Sequence, residues 1–457
     1  MPDSTHSFSV HAHSGTLREV AALAAPLVVA SLSQSGMWIV DTLVMGRVGT
    51  TEQGAVGLGG VLWWAMMCFF TGTMTVAGIV VAQDFGAKKT DLARHVRAGL
   101  LLIVPMSAGI FALRGLAPLA LEAMHVTAAV LPLASTYIHV RLLAAPFVLT
   151  SFVLTSYLRG IGNTVTPMVV SLVANVLNGL LAVGLVFGLL GLAPMGVKGA
   201  ATATALASVA ECAMYFGVFW FGRISKAHGS RTWIWPSLEN LKRFLSMGAP
   251  IGLAWLFETL AWASFSIYSG TRPACELAAH TILFQLTGLC FMPAVALGQT
   301  ASTLVGQYVG ARRDDLARRS ALNSLILAVG YMTVVGIALA LFRVPIMRTF
   351  NPAPDVVVLG GALALIAAVY QPFDGFGIVV QGVLRGAGQT AVPTKIMLAS
   401  GVFVFIPLVW ILGERQGMGI QGAWLAALAH VVVASALLGV TVLRSRPWVR
   451  DVPCEPG

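Results

Sequence analysis

The sequence predicts an all-α membrane protein: twelve transmembrane helices in two pseudo-symmetric six-helix bundles with a central cavity. Three observations predict it. Hydrophobic residues make up 57% of the 457, Asp, Glu, Lys and Arg together only 10%, and mean hydropathy is +0.84. A soluble domain carries about 25% charge, so this composition excludes a soluble enzyme and a disordered chain and makes lipid the main solvent. The second observation is the spacing of the apolar runs, and the third is an internal repeat.

About 20 apolar residues are needed to cross about 30 Å of hydrocarbon. The first six such runs are 18–46 (with Pro26), 55–82, 95–118 (Pro105), 128–157 (Pro146), 167–191 and 197–222. The second six are 243–270 (Pro250), 276–305 (Pro293), 316–342, 354–384 (Pro372), 392–413 (Pro407) and 418–443. Membrane helices tolerate these prolines because neighbouring helices satisfy the freed backbone groups.

The segment 1–16 before them is polar and reads as a disordered tail, its His6, His11 and His13 included. Residues 17–222 form the first bundle, 223–242 a polar linker, 243–446 the second bundle and 447–457 a second tail. No cleavable signal peptide is recognisable at the start.

The formal net charge of +10 comes from short basic clusters between the apolar runs, which marks loop topology and not nucleic-acid binding. With the N-terminus inside, nineteen Lys and Arg fall on the inner side and seven on the outer, so both termini are expected in the cytoplasm. Arg159 and Arg385 are counted among the inner-loop charges and Lys198 among the outer ones. The five cysteines, Cys68, Cys212, Cys275, Cys290 and Cys454, form no CxxC pair and suggest no disulfide framework.

The repeat is explicit. GAKKTDLAR at 86–94 returns as GARRDDLAR at 310–318, and Ala25-Pro26 returns as Ala249-Pro250, both after 224 residues. LRGIGNTVTP at 158–167 returns as LRGAGQTAVP at 384–393, and Pro146-Phe147 as Pro372-Phe373, both after 226. MGVKGA at 195–200 returns as MGIQGA after 223. Six is an even number of crossings, so both copies enter the membrane in the same orientation, related by an axis along its normal with a cavity between them.

Five acids lie inside the apolar runs: Asp41, Asp84, Glu211, Glu258 and Asp374. A carboxylate in hydrocarbon costs several kcal/mol and normally faces a cavity or a partner. Asp84 abuts the basic loop 86–94 and reads as its counter-charge. At 1.5 Å per residue, Glu258 lies roughly 23 Å above Lys242–Arg243 and Asp374 roughly 16 Å above Arg385, both mid-membrane. Asp41, roughly 34 Å above Arg18, lies near the outer mouth.

The repeat positions of Glu258 and Asp374 are Gln34 and Val148, so both acids belong to the second half alone and read as an acquired coupling-ion or substrate site. Tyr370 shares a helix face with Asp374. Trp255 and Trp262 flank Glu258 and read equally as an aromatic platform for an organic cation or as packing residues. Glu211 reads equally as an accessory proton site or as a quiet interhelical hydrogen bond. Asn175 and Asn178 read as interhelical hydrogen bonds that also stand where the first-half cavity would be, and His430 as a packing residue.

There is no GxxxxGK[ST], HExxH or GxSxG, so no enzyme, no resident cofactor and no ATP-driven pump is indicated, and energy for uphill transport falls to an ion gradient.

Together the repeated loop, the repeated LRGxGxT, VDTLVMGRVG (40–49), GAPIGLAWLFE (248–258) and YQPFDGF (370–376) resemble the multidrug and toxic compound extrusion (MATE) family, its NorM-like branch above all, over roughly residues 17–445. The resemblance implies export of cationic, often aromatic drugs in exchange for Na⁺ or H⁺, by a monomer in the inner (plasma) membrane with lipid as its other partner. It implies a coupling-cation site at Glu258 and Asp374 with Tyr370 beside them, holding Na⁺ if sodium is the ion, and a first-helix acid at Asp41; Gln34, Trp255 and Trp262 complete the expected substrate cavity. The fifth-helix Asp of the family's other branch has no counterpart in NVLNGLLAVG (175–184), so coupling is expected in the second half. The rival reading is a lipid-linked oligosaccharide flippase of the same superfamily. Its cavity calls for several basic residues, whereas the mid-membrane ionisable residues here are mainly acidic, with Arg141 the exception.

Overall fold

The computed structural model describes residues 14–124, 126–189, 193–222, 226–231 and 234–449. His6, His11, His13 and Cys454 lie outside the described residues. Among the described residues the secondary structure is helical, and eleven helices are long and apolar enough to cross a membrane. They are α1 (Leu17–Gly46), α2 (Thr50–Gly86), α3 (Ala93–Leu113), α5 (Val165–Phe187), α6 (Gly196–Phe221), α7 (Leu238–Gly270), α8 (Ala274–Gly310), α9 (Asp314–Leu341), α10 (Pro354–Gly386), α11 (Ala391–Arg415) and α12 (Gly419–Ser445). The twelfth crossing, α4, is the pair Leu131–Leu143 and Ala145–Gly160, bent by 52°. Its break falls at Ala144, just before Pro146, which has no N–H to continue the helical ladder. The matching Pro372 lies inside an unbroken α10, which is packed against α8, α9 and α12.

Several boundaries differ from the sequence expectation for local reasons. The third run stops at Leu113, because Arg114-Gly115 turns the chain into a separate short helix, Leu116–Ala123. A second short helix, Arg343–Phe350, stands in the same place between α9 and α10, so the repeat extends to the connections. The seventh crossing begins at Leu238 and not at 243, because Ser237 caps it, accepting from the backbone N–H of Asn240 at 3.3 Å. The tail expected to end at residue 16 docks before that: Gly15 N–H donates to the Tyr308 hydroxyl at 3.2 Å, and Asn323 Nδ2 donates to the Gly15 carbonyl at 2.5 Å.

Many of the basic residues counted between the runs are helical, Lys198, Arg159 and Arg385 among them. Lys198 lies in the first turn of α6, and Arg159 and Arg385 close the last turns of α4 and α10. Arg159 reaches across to Gln299 Oε1 at 2.5 Å and to Ser156 Oγ at 3.1 Å, while Arg385 donates to Gln381 at 3.0 Å. Guanidinium groups at membrane depth need such acceptors. Asp84 does neutralise its loop, accepting from Lys89 at 2.8 Å, from Arg94, and bonding His95 Nε2 at 2.7 Å.

The halves meet through α1 on α8, α7 on α2, and α2 on α8. Since α1 and α2 repeat as α7 and α8, the first two contacts are symmetry mates and the third lies on the axis. At that crossing Gln83 Nε2 donates to the Gly386 carbonyl at 2.9 Å, and Gln307 Nε2 donates to the Gly160 carbonyl at 2.9 Å. Gln83 and Gln307 are 224 residues apart, and Gly160 and Gly386 are 226 apart. One buried hydrogen bond therefore occurs twice, once in each direction. The backbones touch here: a Cβ on Gly86 would stand 1.8 Å from the Gln307 carbonyl oxygen, and one on Gly310 1.9 Å from that of Gln83. This seam lies on the side of the membrane that carries both termini.

Candidate functional site

On α7, Trp255 packs against the first half, its ring 6.1 Å from Trp64 and 6.4 Å from Phe152. One turn further, Glu258 is exposed, as is its repeat partner Gln34 on α1. Asp374 and Arg385 lie within the electrostatic reach of Glu258. Gln34 and Glu258 thus occupy matching exposed positions of the repeat on α1 and α7.

Asp374 is half-buried on α10, one turn beyond the buried Tyr370, whose hydroxyl stands within hydrogen-bonding reach of its carboxylate. Asp374 Oδ2 has no hydrogen-bond partner among the described residues. The structure therefore brings Glu258, Asp374 and Tyr370 together. Two carboxylates and a phenol supply oxygens that can hold a small hard cation, and two neighbouring acids in low dielectric can share a proton. No group of three or more His, Cys, Asp and Glu capable of holding a metal ion is found among the described residues.

The tryptophans take the packing alternative in this conformation. Trp255 joins the first-half core as above, and Trp262 lies 5.6 Å from Phe284 and 6.0 Å from Phe265 in the second-half core. His430 also packs, bonded to Ser400 Oγ at 2.7 Å.

The first half holds a separate polar cluster. Asp41 is 8% exposed and accepts from Thr204 Oγ1 at 3.4 Å, and Thr204 in turn receives Asn178 Nδ2 at 3.1 Å. Asn175 donates to Ser33 on α1. Both asparagines therefore tie helices together. Glu211 is half-buried on the α6 stripe that also carries Thr204, Ser208 and Tyr215. The sequence reading overlooked Arg141 as a member of this cluster. It is 7% exposed, and its guanidinium carbon lies 3.9 Å from the centre of the Trp63 ring. The signal was an arginine inside an apolar run, in the same half as an acid and without a repeat partner.

The MatE family profile matches residues 26–184 and 250–411, one stretch in each half. Multidrug resistance protein PmpM of Pseudomonas aeruginosa is 28% identical over 95% of this chain and 93% of its own length. The probable multidrug resistance protein NorM of Burkholderia mallei is 29% identical over 92% of this chain and 91% of its own. Among solved structures, the eukaryotic MATE transporter AtDTX14 superposes with a TM-score of 0.85 at 19% identity, covering 93% of this chain and 95% of that one. An outward-facing MATE family multidrug resistance transporter of the MOP superfamily also gives 0.85 at 19% identity, covering 95% and 97%. At these identities the structural likeness establishes the fold.

Proposed function

The chain belongs to the MatE family, and from that premise we propose that it is a secondary active multidrug exporter, moving cationic or aromatic small molecules out of the cell in exchange for Na⁺ or H⁺. The observation that carries this reading is the pairing of Glu258 and Asp374 beside Tyr370 in the second half. The full-length match to relatives named as multidrug resistance proteins supports the substrate class.

The exchange cycle follows from charge. With the central cavity open on the side away from the termini, a cation from outside reaches the acid pair. Neutralised acids release a cationic substrate, because attraction in low dielectric is what held it. The bundles then rock about the seam, the coupling ion leaves inward, and the re-ionised acids bind new substrate. The seam at Gln83 and Gln307 is closed in this conformation, so the reading assigns it to the outward-facing state of a monomer in the inner membrane, with both termini in the cytoplasm.

Two measurements test this. Cells expressing the protein should extrude ethidium faster than cells without it; equal rates at good membrane abundance would count against an exporter. A reporter fused after Lys226 or Arg444 should read as cytoplasmic and one near Lys198 as external. An external signal at Arg444 would overturn the orientation.

A further inference from the structure

The second half carries an open surface groove near the membrane face that holds the termini. Leu322 and Leu325 of α9, Val379 and Val383 of α10, and Val442 of α12 line it together with Trp448, and all of its lining is apolar. Two exposed arginines stand at its end nearer the termini. Arg318 precedes Leu322 by four residues on the same face of α9, and Arg446 follows Val442 by four.

We propose that the groove and these two arginines form a binding site for an anionic phospholipid, with one acyl chain in the groove and the phosphate on Arg318 and Arg446.

The repeat shows that the groove is not a requirement of the six-helix unit. Val383 corresponds to Tyr157 at offset 226, and Val442 to Phe219 at 223. In the first half those two rings are buried and meet edge to face at 5.4 Å, so the equivalent space is filled. Two valines leave it open in the second half. A gap among apolar side chains forfeits dispersion contacts, and a hydrocarbon chain from the surrounding lipid restores them.

The charges differ between the halves in the same sense. Arg94, the repeat partner of Arg318, donates to Asp84. At offset 224 Asp84 becomes Tyr308, whose hydroxyl donates to the Glu19 carboxylate at 2.8 Å, and His95 becomes Arg319. The acid that neutralises the first-half loop is therefore gone, and one more base has been added. Arg313 pairs with Asp315 at 3.2 Å, but Arg318 and Arg446 make no ion pair among the described residues, not even Arg318 with Asp314 one turn before it. Two guanidinium forks match a phosphate well, and lipid phosphates lie at this level of the bilayer. A headgroup with net negative charge is selected, because the ammonium of a choline would be repelled.

The end of α12 adds a third feature. Its C-cap Arg446 is left-handed, with φ +39°, a conformation that costs a residue with a side chain. The chain turns back there, burying Pro447 and packing Trp448 against the cluster that holds Val379 and Val383. An indole is favoured at headgroup level. The turn thus sets a guanidinium and an interfacial ring side by side at the mouth of the groove.

The test is photolabelling of the full-length protein in bilayers. Phosphatidylglycerol with a diazirine in one acyl chain is compared with phosphatidylcholine carrying the same chain, each as a minor component of a phosphatidylcholine bilayer, and adducts are mapped by mass spectrometry. Adducts at Leu322, Leu325 and Val442 should be at least about tenfold richer with phosphatidylglycerol. Leu101, the repeat position of Leu325, should show no such preference. Arg318→Gln/Arg446→Gln should bring the two lipids level. Val383→Phe/Val442→Phe, which fills the groove as the first half is filled, should remove the labelling at Leu325 by either lipid. If that variant does not insert, the arginine variant still decides, since both of its changes are at exposed positions. Equal labelling by the two lipids in the wild type, or a preference that survives Arg318→Gln/Arg446→Gln, would overturn the proposal. So would competition by excess inorganic phosphate, which would make the ligand a free anion.

Discussion

Asp374→Asn and Glu258→Gln should each bring gradient-driven ethidium efflux down to the background of cells without the protein, at least a tenfold loss, at unchanged membrane abundance. The amides keep size and most hydrogen bonding but cannot carry negative charge. A neutral amide is cheaper to enclose than a carboxylate, so folding is expected to tolerate the change. Transport is not, because each variant holds the site permanently in its neutralised form. Exchange needs two states of the site with different affinity for substrate, and a group that cannot change charge removes the difference. Asp41→Asn should be milder in coupling, since Asp41 lies in a separate first-half cluster with Thr204 and Asn178. The measurement is efflux normalised to membrane protein. Wild-type efflux from both Asp374→Asn and Glu258→Gln would place the coupling site elsewhere.

The second large effect concerns the seam. Gly86→Val and Gly310→Val should each prevent the halves from closing on the side of the termini and abolish transport without abolishing insertion. The added carbon would meet backbone oxygen at less than 2 Å, and a backbone cannot swing aside as a long side chain can. Gln83→Ala combined with Gln307→Ala removes two buried hydrogen bonds and should have the same direction with a smaller size. At about 1 kcal/mol per bond, the ratio of closed to open forms falls by roughly tenfold to thirtyfold. Spin labels on Lys89 and Arg313, which flank the crossing, should report a longer separation in all of these variants. An unchanged distance distribution in Gly86→Val would show that the contact at Gly86 does not decide closure.

Much of this architecture was legible in the sequence because lipid imposes a simple rule. A backbone in hydrocarbon must form helices or a closed barrel, and apolar runs of about 20 residues fit only helices, so run length located the crossings, and the repeat gave their symmetry. Less legible were features that depend on side chains meeting across distance. The break in α4 and the continuity of α10 share the same Pro-Phe pair, and only the packing around α10 distinguishes them. Arg159 and Arg385 read as loop charges because their acceptors, Gln299 and Gln381, are neutral polar residues without a motif.

The acid pair could be picked out because a carboxylate in an apolar run is rare. Its geometry with Tyr370 followed from helical spacing. The surroundings of Trp255 and Trp262 could not be read that way. An indole serves equally well as packing or as a binding face, and the rings of Trp64 and Phe284 that settle it here lie far away in the chain. Arg141 was overlooked because its neighbours Trp63 and Asp41 lie on two other helices.

The most direct measurement is substrate movement in proteoliposomes containing the purified protein, with a Na⁺ gradient or a pH gradient imposed alone. Ethidium should move uphill under at least one of the two gradients, stop when that gradient is collapsed, and stay at equilibrium in Glu258→Gln/Asp374→Asn. Uphill movement that persists in the double variant, or no movement in the wild type under either gradient, would contradict cation exchange at Glu258 and Asp374.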